Sequence, residues 1–418
     1  MSASVSASVP PPPATPGPAS PLRVAIISES FLPQVNGVTN SVCRVAEHLS
    51  SRGHQALILA PGTGPAHYAG FPVVRLPGVP LPFYRGFTGG LPSRRLVTAA
   101  LRSFGPDVLH LASPALLGHT AVDIARRWAL PTVAVYQTDL PGFTARYGLP
   151  AGSLLWPFLR RVHAAVDRTL VPSSATLREL AGQDFPRLSL WRRGVDTARF
   201  DPRHRDAALR RQLAPNGEVI VGYVGRLARD KRVDLLAHVA KLRGVRLVVV
   251  GDGPDRARLR RRLRGTAPVA FLGQRTGEEL SRLYASFDVF VHTGADETFC
   301  QAVQEALASG VPVVAPASGG PLDLVVPERN GLLYAPDSVR ELRLATGRLA
   351  HNAALRERMA AEARRTVEER TWEVIGDQLL GHYREVIAPT GAQPLGTQAE
   401  SGAPGGGAPA GAGLLARR

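Results

Sequence analysis

Hydrophobic positions along this chain follow two alternating patterns: short unbroken apolar runs, and longer stretches apolar at every third or fourth residue. The first run is Arg23–Ser28 (RVAIIS). It is followed by a segment in which Val38, Val42, Val45, Ala46 and Leu49 share one helical face. Further runs at Ala56–Ala60, Val73–Leu76, Asp107–Leu111, Thr132–Tyr136 and Thr169–Val171 predict strands, most of them separated by helix-like stretches. A second series starts near Gly217. It predicts strands at Val219–Val224, Arg246–Val250, Val269–Leu272, Val289–His292 and Pro312–Ala315. Their continuous Val, Leu and Ile character suits sheets covered on both faces, and the alternation of strand and helix predicts parallel α/β sheets.

Two doubly wound domains that face each other place the C-terminal ends of their strands around one cleft. The predicted division is a first domain over residues 22–190 and a second over 217–368, joined by a polar, Arg-rich connection over 191–216. Residues 369–388 form a closing helical segment, periodic at Val374, Ile375, Leu379, Tyr383, Val386 and Ile387. The Pro/Ser/Ala-rich residues 1–21 and the Gly/Ala/Pro-rich residues 389–418 are expected to be disordered.

Composition narrows the class. The chain has 418 residues, 44% of them hydrophobic, enough for two moderate cores. No apolar run approaches the roughly 20 residues that span a bilayer. The first twenty residues lack the basic start and apolar block of a secretory signal. Cys43 and Cys300 are the two cysteines, with no disulfide framework or metal-ligand spacing, which fits a reducing cytoplasm. The net charge is +16, carried almost wholly by arginine, since Lys231 and Lys241 are the two lysines. Coding bias explains this, or attraction to an anionic substrate or membrane surface. Nucleic-acid motifs and interleaved aromatics are missing, so no nucleic-acid partner is expected.

Motifs then bound the chemistry. There is no P-loop and no Gly-x-Gly-x-x-Gly after a strand, which weakens kinase and dehydrogenase readings. Asp-x-Asp, nucleophile-elbow and His-Glu-x-x-His signatures are absent too. Gly225–Lys231 (GRLARDK) follows a predicted strand. This sets Arg226 and Lys231 where such sheets bind ligands, two cations suited to a departing diphosphate; ordinary surface cations are the bland alternative. Asp296–Gly310 (DETFCQAVQEALASG) follows another strand, with Glu297 in the turn and Glu305 in the helix beyond. Eight residues of helix separate such groups by roughly 12 Å, too far to share a proton and suited to two grips on one long ligand. The helix-start amides near Phe299, Cys300 and Gln301 suit a phosphate. In the first half, Gly37 opens a helix after the first strand, and its helix start can face an anion. Gln137 and Asp139 (VYQTDLPGF) follow another strand, with a local cap as the alternative for Asp139. Pro77–Arg95, containing Phe83, Tyr84 and Phe87 among several Arg, is a candidate acceptor or membrane loop, or an ordinary surface loop.

Glu297-x₇-Glu305, then SGVPVVAP (Ser309–Pro316), with Arg226 and Lys231 in a GRL-x-x-DK stretch, resembles the family 4 retaining glycosyltransferases of GT-B fold. ESFLPQVNGVTNSV (Glu29–Val42), VYQTD (Val135–Asp139) and RGVDTARF (Arg193–Phe200) are similar to GDP-mannose-dependent α-mannosyltransferases that build glycolipids, near the phosphatidylinositol mannosyltransferases. The resemblance covers about Leu22 to Ile387. It implies two facing Rossmann-like domains and a final helix that crosses back to the first. It implies that Arg226 and Lys231, beside Gly225, hold the donor diphosphate, that Glu305 binds the ribose, and that Glu297 contacts the sugar. The Phe299, Cys300 and Gln301 amides and Gly37 would lie close to sugar and phosphate. Many relatives carry His where this chain has Gln137, the candidate sugar contact. Asp139 and Tyr84 are the acceptor-side candidates. The implied reaction transfers mannose from GDP-mannose to a lipid-linked acceptor with retention. It needs no metal or other cofactor, and it takes place in the cytoplasm, at the inner face of the plasma membrane. A UDP-sugar donor of glucosyl or sulfoquinovosyl type, a sugar-nucleotide epimerase and a non-enzymatic basic protein remain alternatives.

Overall fold

Strands form where the apolar runs predict them, within two residues at each end. The computed structural model describes residues 20–388, apart from 35, 81–87, 92, 143–151 and 266–267. Tyr84 and nearly all of both expected disordered tails lie outside the described residues. The first domain contains β1 (Arg23–Ser28), β2 (Gln55–Pro61), β3 (His67–Tyr68), β4 (Phe71–Leu76), a hairpin of β5 (Gly78–Pro80) and β6 (Thr88–Gly90), β7 (Val108–Ala112), β8 (Thr132–Val135), β9 (Arg168–Val171) and β10 (Leu188–Leu190). Its main sheet runs β10-β9-β8-β7-β1-β2-β4-β3, parallel except for the β3 edge. The second domain contains β11 (Val219–Val224), β12 (Val245–Val250), β13 (Val269–Gly273), β14 (Val289–Val291), β15 (Val313–Pro316) and β16 (Gly331–Tyr334), in the parallel order β13-β12-β11-β14-β15-β16. The apolar runs do not predict β3, β5, β6, β10 or β16; each is two to four residues long, too short for a periodicity to register.

Each sheet is buried on both faces, as continuous apolar strands require. Val24 and Ile26 of β1 point into one core with the Gly37–Ser51 helix, while Ala25 and Ile27 point into the other. In the second domain Ile220 and Val221 divide between two cores in the same way. The predicted helical face of Gly37–Ser51 is the buried one, with Val42, Val45, Ala46 and Leu49 inside.

The join between domains is narrower than the predicted connection over 191–216. Trp191 packs in the first domain's core, whereas Val195, Phe200, Leu213 and Ala214 pack in the second. Only Arg192–Gly194 passes between them, because the apolar residues in this polar stretch are drawn into the nearest core. The closing helix Trp372–Ile387 returns to the first domain, where Ile375, Leu379, Leu380 and Tyr383 are buried. Each such side chain contributes about 1.5–3 kcal/mol, which makes this helix part of the first domain. Its outer side is tied by Arg52 to Asp377 at 2.6 Å. The outward and return paths run side by side, with the Val195 amide donating to the Arg370 carbonyl at 2.8 Å. A Cβ at Gly194 would lie 2.5 Å from the Trp372 backbone, so this crossing requires glycine.

Candidate active site

The C-terminal ends of β8, β11, β14 and β15 open onto the space between the two sheets. Gly225 follows β11 directly, its amide donating to the Val250 carbonyl at 3.0 Å. Next, Arg226 Nη2 lies 2.9 Å from Asp230 Oδ1. Lys231 Nζ lies 3.3 Å from Asp230 Oδ2 and 2.8 Å from Glu297 Oε1. Sequence reading joins Arg226, Lys231 and Glu297 but misses Asp230, which links the two cations. His292, at the end of β14, is buried, with Nε2 3.3 Å from the same Glu297 oxygen.

Two cations thus face two carboxylates, and their titration follows. Burial alone would raise the Glu297 carboxyl, but Lys231 and then His292 hold it well below the usual carboxylate range. Burial would lower Lys231, but Glu297 and Asp230 push it above its ordinary value. Asp230, Lys231 and Glu297 are therefore charged at neutral pH. The Arg226 guanidinium is a planar fork of N–H donors, one of them on Asp230 Oδ1, and its geometry matches the oxygens of a phosphate.

Glu297 is not on the helix. Cys300, in left-handed conformation at φ 80°, caps the helix Gln301–Ala308. A non-glycine residue there stores strain of order 1 kcal/mol, a feature typical of functional loops. The 12 Å helical spacing therefore does not apply; Glu297 lies among Lys231 and His292, and Glu305 lies one turn inside the helix. Burial raises the Glu305 carboxyl to about 7, against opposing pulls from Tyr284 and Arg199. The loop is clamped from behind. The Gly320 amide donates to the Glu297 carbonyl at 2.7 Å, and a Cβ on Gly320 would meet the Phe299 carbonyl oxygen at 1.9 Å, excluding any other residue. The Phe299 ring packs in the domain core, which leaves its main chain as the part available to a ligand. Gln301 Nε2 donates to the Gly194 carbonyl at 3.0 Å.

The first-domain candidates divide. Gln137 follows β8 and is 7% exposed, its Oε1 held by Arg193 and its Nε2 without a partner. Its carbonyl accepts from Thr298 Oγ1 at 3.2 Å across the domain boundary, beside the residue that follows Glu297. Asp139 follows the bland alternative: Oδ1 accepts the Gly142 amide at 2.8 Å and closes a local turn. The helix start at Gly37 differs from expectation, because Asn36 Oδ1 already accepts the Val38 and Thr39 amides at 3.0 Å each. The space beside Gly37 is open, with no atom within 4 Å of a built Cβ.

Comparison with known proteins decides the family. Residues 35–199 match the model described as Glycosyltransferase Family 4, and residues 205–366 match Glycosyl transferases group 1. A GDP-mannose-dependent alpha-mannosyltransferase of Mycobacterium tuberculosis is 52% identical, covering 87% of this chain and 97% of the relative. The protein of that description from Corynebacterium glutamicum is 45% identical over 88% of this chain and 90% of its own length. The chain belongs to glycosyltransferase family 4. Its fold is GT-B: a sucrose-phosphate synthase from Thermosynechococcus elongatus superposes with TM-score 0.73 at 23% identity, covering 88% of this chain and 99% of that one. Anabaena HepE in complex with UDP gives TM-score 0.72 at 18% identity, covering 87% and 100%.

In this glycosyltransferase the two domains are in direct contact. Besides the Thr298–Gln137 bond, Thr176 Oγ1 donates to the Thr298 carbonyl at 3.3 Å. Ser174 donates its amide and hydroxyl to Asp323 Oδ2 at 2.9 and 3.0 Å. Sequence reading finds none of these, because each pairs residues more than a hundred positions apart. His292 was within reach, since it closes a predicted strand at the cleft. Among the described residues, His292, Glu297 and Cys300 bring possible metal-ligand atoms within 4.8 Å of one another. Lys231 already holds Glu297 there, and the positive helix start nearby opposes a further cation. No helix among the described residues is long and apolar enough to cross a membrane.

Proposed function

We propose that this enzyme transfers mannose from GDP-mannose to a lipid-linked acceptor, forming an α-mannoside with retention. The observation that carries this is the Arg226–Asp230–Lys231–Glu297 cluster, set beside a helix start and across from Gln137. Arg226 and Lys231 receive the diphosphate, with the amides at Phe299–Gln301 alongside. Glu297 accepts a sugar hydroxyl while Lys231 keeps it ionised. Glu305 accepts the ribose hydroxyls. The relatives' descriptions name GDP-mannose as donor and an α linkage as product. The mannose of GDP-mannose is itself α-linked, so an α product means retention.

In the reaction the bond from C1 to the donor phosphate oxygen breaks, and the acceptor oxygen bonds to C1 from the same face. The acceptor proton passes to the departing phosphate. The diphosphate gains negative charge as it leaves, and fixed cations that meet it lower the barrier without reorganising. This reading calls on no metal ion, because Arg226, Lys231 and the helix start supply the positive charge.

The lipid-linked acceptor is supported by the surface beside the β5–β6 hairpin. Val79, Leu91 and Leu96 are exposed there at 48%, 47% and 43%, next to exposed Arg94 and Arg95. Such a mixture suits an anionic bilayer. Two experiments test the proposal. A thermal-shift panel of nucleoside diphosphates should favour GDP; a preference for UDP overturns the donor. Co-sedimentation at low salt should show binding to vesicles containing anionic lipid and not to neutral ones; absence of binding to either removes the membrane surface.

A further inference from the structure

Arg193 lies in the short crossing between the domains and turns its side chain back into the first. It is 9% exposed, and it pairs with no carboxylate among the described residues. Nη1 donates to the Gly37 carbonyl at 3.2 Å, and Nη2 donates to Gln137 Oε1. Burying a guanidinium without a carboxylate is unfavourable. Its two oxygen contacts are what compensates, and both belong to the candidate donor site.

The consequence falls on Gln137. Its amide has an acceptor end and a donor end. Guanidinium only donates, so the amide cannot flip without setting donor against donor. Nε2 is thereby fixed on the other side, buried and unpartnered. Thr298 fixes the main chain of the same residue, one position from Glu297. An unpartnered buried N–H₂ costs on the order of 1–3 kcal/mol, which an incoming hydroxyl oxygen would recover. Glu297, across the boundary, accepts hydrogen bonds; Gln137 Nε2 offers them. A sugar placed to reach both would meet an acceptor in Glu297 and a donor in Gln137.

The hinge ties this arrangement to the second domain. The Arg193 carbonyl accepts from Gln304 Nε2 at 3.1 Å, and the adjacent Gly194 carbonyl accepts from Gln301 Nε2. Both glutamines stand on the helix that begins at the donor site. We propose that Arg193 is a positioning residue: anchored to the Gln301–Ala308 helix, it aims Gln137 Nε2 at the transferred sugar and so makes sugar recognition depend on domain contact. This rests on the glycosyl-transfer reading above.

The test compares Arg193→Met, Arg193→Lys, Gln137→Ala and Gln137→Glu in the full chain. Gln137→Glu keeps an oxygen for Arg193 but has no N–H to offer. GDP affinity, measured by calorimetry, should stay within about twofold in Gln137→Ala and Gln137→Glu, since Gln137 is placed at the sugar and not at the nucleotide. Against that, kcat/KM for GDP-mannose should fall about 10- to 100-fold in Arg193→Met and in Gln137→Glu, the loss of one well-placed polar contact. Arg193→Met should add little in the Gln137→Ala background, since both act through one amide. Additive losses overturn the proposal. So does a loss of GDP affinity in the Gln137 variants that matches the loss of kcat/KM, or unchanged kcat/KM in Arg193→Met. If circular dichroism shows Arg193→Met unfolded, Arg193→Lys decides. Lysine reaches one oxygen at a time, so an intermediate loss supports the proposal and full activity refutes it. If the unmodified enzyme does not turn over GDP-mannose, the donor reading fails. The same comparison is then made with the UDP-sugar that raises its Tm. A double-mutant cycle in Tm on the unliganded protein tests the contact independently of any donor, and zero coupling there refutes the role of Arg193.

Discussion

Replacing Glu305 by Gln should make the protein more stable and a poorer enzyme at the same time. The Glu305 carboxyl is raised by burial from the usual 4.5 to about 7. That gap corresponds to roughly 3 kcal/mol of folded-state penalty when the group is ionised. The sign follows from the direction. Below about pH 4.5 the carboxyl is protonated in folded and unfolded chains alike, and no penalty exists. Between 4.5 and 7 the folded chain holds more protons, so stability is progressively lost as pH rises. Above 7 the penalty is complete. Glutamine has the same shape and no charge, so Glu305→Gln should gain up to that amount at pH 8 and almost nothing at pH 4. Thermal unfolding across this range, read by calorimetry, checks it; the expected rise in Tm is a few degrees. Binding should move the other way. The ionised carboxylate accepts ribose hydroxyls, so donor affinity in the unmodified enzyme should weaken about fivefold from pH 7 to pH 6. In Glu305→Gln, affinity should be lower throughout, by about 10- to 100-fold, and flat with pH. GDP-mannose is the ligand to use, because its phosphates do not titrate near neutrality. A variant less stable than the parent at pH 8, or a parent whose affinity is flat between pH 6 and 8, would refute the buried-carboxylate reasoning.

Other substitutions probe separate parts of the site. Lys231→Ala removes the cation between Asp230 and Glu297, and kcat should fall on the order of 10²- to 10³-fold while circular dichroism stays native; near-normal turnover excludes the diphosphate role. Gly37→Ala adds a methyl group in open space. Stability should stay within about 0.5 kcal/mol while donor KM rises, and an unchanged KM means that no ligand comes close there. Asp323→Ala removes the acceptor of both Ser174 bonds. Solution scattering should show a larger radius of gyration without donor, with KM up about 3- to 10-fold; an identical scattering curve shows that this contact does not hold the domains together.

The strands, the two-domain division and the closing helix were legible in the chain because burial on both sheet faces leaves an unbroken apolar signature. The closing helix, expected over 369–388, forms over Trp372–Ile387, since Ile375, Leu379 and Tyr383 recur at helical spacing and are buried; Val374, counted with them in the sequence, is exposed. Arg226, Lys231 and Glu297 were legible because ligands gather at strand ends, and strand ends can be counted along the chain. Their ion pairing was not, because 66 positions separate Lys231 from Glu297 and only the adjacency of β11 and β14 joins them. Cys300 illustrates the same limit: nothing in its neighbours announces a left-handed turn, which is imposed by the loop packed against Gly320. Arg193 is the clearest case. In the chain it is one arginine among many in a polar stretch. In the fold it is buried at the domain crossing, holding one end of Gln137. Local pattern determined which segments fold and where ligands gather, because those depend on side chains a few residues apart. Tertiary structure decided which charges are neutralised and which way an amide faces, because those depend on groups brought together from different strands and different domains.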